Sequence, residues 1–87
     1  MPSSYVLFIR KEAVAVFRSA GSSERNALQQ FFDLLENYPY LRGDTTERDD
    51  VGREVQVRFL SKFKVVYWAD HAVKEVRILR LDRLPKK

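Results

Sequence analysis

Cysteine is absent from the 87 residues, histidine occurs once, and glycine and proline occur three times each. Each shortage closes off some chemistry. Without cysteine there is no disulfide framework, thiol nucleophile or cysteine-ligated metal, and such a chain suits a reducing cytosol. A Gly-rich phosphate loop, a G-x-S-x-G elbow and an H-E-x-x-H pair are all missing. The one imidazole, His71, falls in a tight turn at Asp70-His71, where hydrogen bonding to local backbone is the expected role ahead of general base catalysis. The serines lie in loops with no visible base beside them. The N-terminal apolar run, Tyr5 to Ile9, is too short to cross a membrane, and no small-residue cleavage site follows it. No targeting signal and no membrane contact are expected, and the chain reads as cytoplasmic.

What is present is an ordinary globular composition with an uneven charge. Hydrophobic residues make up 45% of the chain, with six Phe, four Tyr and one Trp, enough for one two-layer core and a single domain over 1–87. The formal net charge of +4 hides a strong asymmetry. Residues 1–23 carry Arg10, Lys11 and Arg18 against Glu12; residues 24–50 carry three arginines against seven acids; residues 51–87 carry ten Lys and Arg against Glu54, Asp70, Glu75 and Asp82. A basic C-terminal half made mostly of strands suggests a sheet surface that attracts a polyanion or an acidic protein segment, although a plain solvated surface accounts for the same composition.

Phe63 to Leu79 anchors the reading of secondary structure. Phe63, Val65 and Tyr67 alternate with Lys64, Val66 and Trp68, and Val76, Ile78 and Leu79 carry the apolar weight after the turn, the period-two pattern of paired strands. Bulky residues on both faces put this pair near the centre of a sheet. Ser4 to Ile9 reads as a first strand, apolar on both sides and therefore expected inside the sheet or under a helix. Lys11 to Ala20 has apolar residues at helical spacing and ends at Gly21, although Ala13 to Phe17 also fits a strand. Ser22 or Ser23 can cap a second helix, in which Leu28, Phe31, Phe32 and Leu35 form one stripe and which Pro39 ends. In the acidic run Thr45 to Asp50, Asp49 and Asp50 with Glu47 nearby invite a metal or acid–base reading, but an exposed hairpin arm turning at Asp50-Val51-Gly52 is preferred, and neither metal nor cofactor is expected. Glu54 to Phe59 is a further strand, Ser61-Lys62 a turn, and Leu81 to Lys87 a frayed tail. The order β-α-α-β-β-β-β predicts an α+β two-layer fold, an N-terminal strand and two helices packed on one face of a mainly antiparallel β-sheet.

The basic sheet residues form the candidate site. If Phe63, Val65 and Tyr67 face the helices, Lys64 and Trp68 face away, and Arg58 and Arg77 on neighbouring strands are expected to share that face. Clustered like charges call for an anionic partner, and phosphate is the commonest. A Trp beside such a cluster can stack on a base, and Arg and Lys can stabilise charge developing on a phosphate during RNA cleavage.

At several stretches the chain resembles the RelE/ParE toxin superfamily of toxin–antitoxin systems. These are LLENYP from Leu34 to Pro39, Gly43, GREVQVRFLSKFKVVYWAD, and VRILRL from Val76 to Leu81. The superfamily's Tyr-Arg-hydrophobic-hydrophobic-Tyr stretch and V-x-I-L strand read here as Phe63-Lys64-Val65-Val66-Tyr67 and Val76-Arg77-Ile78-Leu79. More narrowly, RGDTTERDDVGRE and YWADHAVKEVRI resemble an uncharacterised branch of this bacterial superfamily, and the superfamily resemblance implies a role in plasmid stabilisation. The resemblance implies a toxin that cuts mRNA on the ribosome as a metal-free endoribonuclease, silenced by a cognate antitoxin protein. The other implied reading is a ParE-like inhibitor of DNA gyrase, or a toxin fold that only binds. By position, Lys64 falls where active members carry a sheet arginine. Arg58, Lys64 and Arg77 are the catalytic candidates, with Arg53, Lys62, Trp68, Arg80 and Arg83 as nucleic-acid-binding candidates. Two departures stand out: Lys replaces Arg at 64, and no Tyr or His follows Leu81, where RelE-like enzymes carry a catalytic one.

Overall fold

The computed structural model describes residues 5–85. Strand β1 (Val6–Ile9) leads into helices α1 (Lys11–Ser19) and α2 (Ser22–Asn37), followed by strands β2 (Thr45–Arg48), β3 (Glu54–Leu60), β4 (Phe63–Asp70) and β5 (Glu75–Arg83). One five-stranded sheet has the order β1-β5-β4-β3-β2; β1 runs parallel to β5 and every other pair is antiparallel. Both helices lie on one face, giving the α+β two-layer architecture expected from the sequence.

The core follows from the two periodicities. Leu28, Phe31, Phe32 and Leu35 line one side of α2 and meet Phe63, Val65 and Tyr67 of β4 and Val76, Ile78 and Leu81 of β5. Each such fully buried Leu, Val or Phe side chain stabilises the fold by roughly 2–3 kcal/mol through removal from water. Ala13, Val16 and Phe17 of α1 complete the layer, with the Phe17 ring centroid 5.9 Å from that of Phe32. β4 sits in the middle of the sheet because it is apolar on both faces: Val66 turns the other way and joins Val55, Val57 and Leu79 in a second, smaller cluster on the open face.

Leu79 owes its place there to a bulge. Tyr67 pairs with Ile78 but Val66 pairs with Arg80, so Leu79 is an extra residue in β5. Leu79 and Arg80 therefore both stand on the Val66 side, where a regular strand would alternate them.

Four expectations are corrected. β1 does lie under the helices on one face, where Leu7 and Ile9 pack on the core, but it is an edge strand and not interior to the sheet, and Val6 and Phe8 on its other face are about half exposed. Leu81 does not begin a frayed tail. It is buried opposite Val65, and β5 continues to Arg83 opposite Phe63. Gly21 caps α2, with φ −67° and its N–H donating to Glu24 Oε1 at 3.0 Å, so Ser22 and Ser23 are the first helical residues. His71 bonds to a distant tyrosine rather than to local backbone. Gly43 has a separate requirement: a Cβ there would collide with the Val57 carbonyl, because the α2–β2 loop lies directly on β3.

Candidate nucleic-acid interface

The Ser61-Lys62 turn is two residues long, with Ser61 at φ 56°, and it pairs Leu60 with Phe63, Phe59 with Lys64 and Arg58 with Val65. Paired residues share a face. Lys64 therefore stands on the open face beside Phe59, while Arg58 stands on the helix face, its guanidinium 5.5 Å from the Phe31 ring centroid. The expected convergence of Arg58, Lys64 and Arg77 does not occur. Arg83 is also on the helix side, 4.9 Å over Phe63 and 3.7 Å from Glu24. Lys62 occupies the exposed turn, where its carbonyl accepts the Leu84 N–H.

The open face instead gathers Arg53, Lys64, Arg77, Arg80 and Trp68, and each cation there has a carboxylate of its own. Lys64 is ion-paired to Glu47 of β2. Arg77 donates to Glu75 at 2.7 Å and Arg80 to Asp82 at 2.7 Å. Arg53 donates to Asp49 at 2.9 Å and lies flat over Trp68, 3.9 Å from the ring centroid. Trp68 packs against the Val55–Val57–Val66–Leu79 cluster with the Arg53 guanidinium over its ring, so the two cover part of the apolar patch on a face without helices.

The β2–β3 hairpin supplies two of these carboxylates, Glu47 and Asp49, and β5 supplies Glu75 and Asp82. Gly52, at φ +81°, turns the chain, and Asp49 accepts from the backbone N–H of Val51 and Arg53 as well as from the Arg53 side chain. Burial would raise the Asp49 carboxyl, but these hydrogen bonds outweigh it and hold the group below the usual carboxylate range. Arg80 is held above the usual arginine value. Its hydrogen bond to Asp82 contributes most, and Glu47 and Asp50 add to it against the opposing effect of burial. A groove of 240 Å³ opens here, lined by Arg10, Arg48, Arg53 and Arg80 and by Glu47, Asp49 and Asp50. Among the described residues Arg10 and Arg48 make no ion pair, whereas a phosphate reaching Arg53 or Arg80 competes with a carboxylate already in place.

Arg10 was not singled out by sequence reasoning, and Glu47 was weighed for acid–base chemistry only within the acidic run, where a plain hairpin arm was preferred. Glu47 is 17 positions from Lys64, and only the β2–β3 and β3–β4 registers together reveal the pairing. Also unforeseen is an aromatic trio at the other end of the sheet. The Tyr40 and His71 rings stack at 4.3 Å and 11°, and Tyr5 Oη lies 2.6 Å from His71 Nδ1. Desolvation, together with a hydrogen bond to Tyr40 and the nearby Tyr40 and Asp70 charges, raises the Tyr5 hydroxyl.

No protein-family model matches the chain. No curated protein matches it either. Among solved structures, the chain is similar to one described as the crystal structure of the archaeal RelE–RelB complex from Pyrococcus horikoshii OT3. The two are 21% identical with a TM-score of 0.78, and the match covers 97% of this chain and 99% of that one. At this identity the likeness is one of fold: the chain has the RelE-type toxin fold. The resemblance read from LLENYP, FKVVY and VRIL is upheld at that level.

Proposed function

We propose that this chain is the toxin of a toxin–antitoxin pair, a RelE-like endoribonuclease that cleaves mRNA on the ribosome and is silenced by an antitoxin protein. The observation that carries the reading is a RelE-type fold whose open sheet face gathers Lys64, Arg77 and Arg80, with Glu47 in contact with Lys64. Strand scission of RNA needs a proton acceptor for a ribose 2′-hydroxyl and positive charge for the phosphate. In this reading Glu47 takes the 2′-hydroxyl proton as the O2′–P bond forms and the P–O5′ bond breaks, and the departing 5′-oxygen takes a proton from solvent. Lys64 and Arg80 neutralise the charge that develops on the phosphate oxygens. Arg58, on the far face, has no part in that step. The proposed antitoxin has its counterpart in the RelB of the similar structure.

A second reading, a gyrase inhibitor or a toxin fold that only binds, is favoured by the internal neutralisation of the open face. The deciding experiment is cell-free translation with purified protein and mapping of mRNA 5′ ends. Ribosome-dependent cuts within codons that disappear in Lys64→Ala and Arg80→Ala, with both variants folded, support the first reading. Intact mRNA refutes it and directs the next assay to gyrase supercoiling.

A further inference from the structure

Tyr40 and His71 of the Tyr5–Tyr40–His71 trio border an open groove of 490 Å³ that Arg42, Glu54, Gln56 and Tyr67 also line, with Trp68 at its edge. We infer that this groove is a binding site for a guanine nucleotide, with the base stacked on Tyr40 and the phosphate at Arg42. It stands apart from the reading above, because a mononucleotide would bind here whether or not the open face cleaves RNA.

Four features of the groove point to this ligand. First, Tyr40 is 73% exposed although His71 covers one of its faces, so the other face is available as a flat apolar platform. The hydrogen bond between Tyr5 Oη and His71 Nδ1 and the stack itself hold the platform in one orientation before any ligand arrives. Base-on-aromatic stacking suits such a surface. Second, Arg42 is exposed, and among the described residues no carboxylate lies within ion-pair distance of it. That contrasts with the cations clustered on the open face, and it leaves a guanidinium for a phosphate.

The remaining features concern the base edge. Glu54 and Gln56 are two positions apart on β3, so both point to the helix side, roughly 7 Å from one another along the strand. Gln56 Oε1 already accepts the Gly43 N–H at 2.9 Å, which commits the amide NH2 to donating. Glu54 is exposed and, among the described residues, makes no ion pair. The site therefore offers a carboxylate acceptor and an amide donor side by side. Guanine presents the complement, N1–H and N2–H donors for a carboxylate and an O6 acceptor for the amide. Adenine turns a lone pair at N1 toward Glu54, and uracil offers one donor in place of two.

Calorimetric titration of the purified chain with GMP, AMP, UMP and inorganic phosphate tests this. GMP is expected to bind about tenfold more tightly than AMP, the scale of one well-formed carboxylate–base pairing. Tyr40→Ala is expected to weaken GMP about tenfold while Tyr40→Phe stays close to wild type, since the ring rather than the hydroxyl carries the stack. Glu54→Gln is expected to bring GMP and AMP to equal affinity. Tyr40 and Glu54 are both exposed, so these variants keep the fold, which circular dichroism checks. Absence of GMP binding at millimolar concentration, phosphate binding as tightly as GMP, equal affinity for all three nucleotides, or an unaffected Tyr40→Ala would each overturn the assignment.

Discussion

Replacing Glu47 by Gln tests how the open face controls its own charge. The substitution keeps the shape of the β2 side chain but removes the carboxylate that occupies Lys64. The two side chains are 21% and 36% exposed, so solvent screens the pair and the fold loses no more than about 1 kcal/mol. The released ammonium can then contact one more phosphate. Each such contact on a single strand steepens the dependence of log K on log salt by about 0.7. Over a fourfold drop in salt, that amounts to roughly two- to threefold more affinity gained by the variant than by the wild type. Fluorescence anisotropy of a short labelled RNA across a salt series reads this directly. Glu47→Gln combined with Lys64→Ala should return the slope to the wild-type value, which isolates the pair from any other effect of the mutation. The single variant should at the same time cleave mRNA on the ribosome about a hundredfold more slowly, because amide cannot take the 2′-hydroxyl proton. Tighter binding with slower cleavage is the signature. An unchanged salt slope would refute the claim that Glu47 holds Lys64 back from phosphate, and unchanged cleavage would remove Glu47 from the chemistry.

Two other expectations test the architecture. Leu81→Ala should lower stability by about 2–5 kcal/mol in chemical denaturation, because Leu81 is buried in the main core between β4 and the helices; a loss below about 0.5 kcal/mol would mean that the C-terminal part of β5 is frayed after all. Burial pushes the Tyr67 hydroxyl up to about 12, with Arg58 opposing and Asp44 adding to the shift. Folding thus favours the neutral phenol, and its contribution is full below pH 10 and lost as pH rises from 10 toward 12. Absorbance titration should show a phenolate step near pH 12 that is missing in Tyr67→Phe, and the variant should lose less stability than wild type across that window.

The corrected placements differ in how much of each could have been read in advance. Arg58 was legible. A two-residue turn at Ser61-Lys62 fixes Phe59 opposite Lys64 and Arg58 opposite Val65, and Val65 was already assigned to the helix side. Counting outward from the turn would have put Arg58 on the wrong face for a cluster with Lys64. The Leu79 bulge was not legible, since VRILRL alternates well enough as a regular strand, and only the pairing with β4 shows the extra residue. Nor was the stack of Tyr40 on His71, whose partners come from the α2–β2 loop and the β4–β5 turn.

Local pattern by itself determined the elements, their order and most of the core. Helical spacing of Leu28, Phe31, Phe32 and Leu35, and alternation in Phe63, Val65 and Tyr67, depend only on 3.6- and 2-residue periods that neighbours cannot override once one face must be dry. Tertiary structure decided the long-range part of the electrostatics. Arg53–Asp49, Arg77–Glu75 and Arg80–Asp82 are neighbours in sequence, but whether Lys64 meets a phosphate or a carboxylate depends on which strand lies beside it, and the register brought Glu47 to it. A charge count along the chain indicated a basic sheet. The folded sheet balances most of that charge, because ionic contacts act over a few ångströms in space and are blind to distance in sequence.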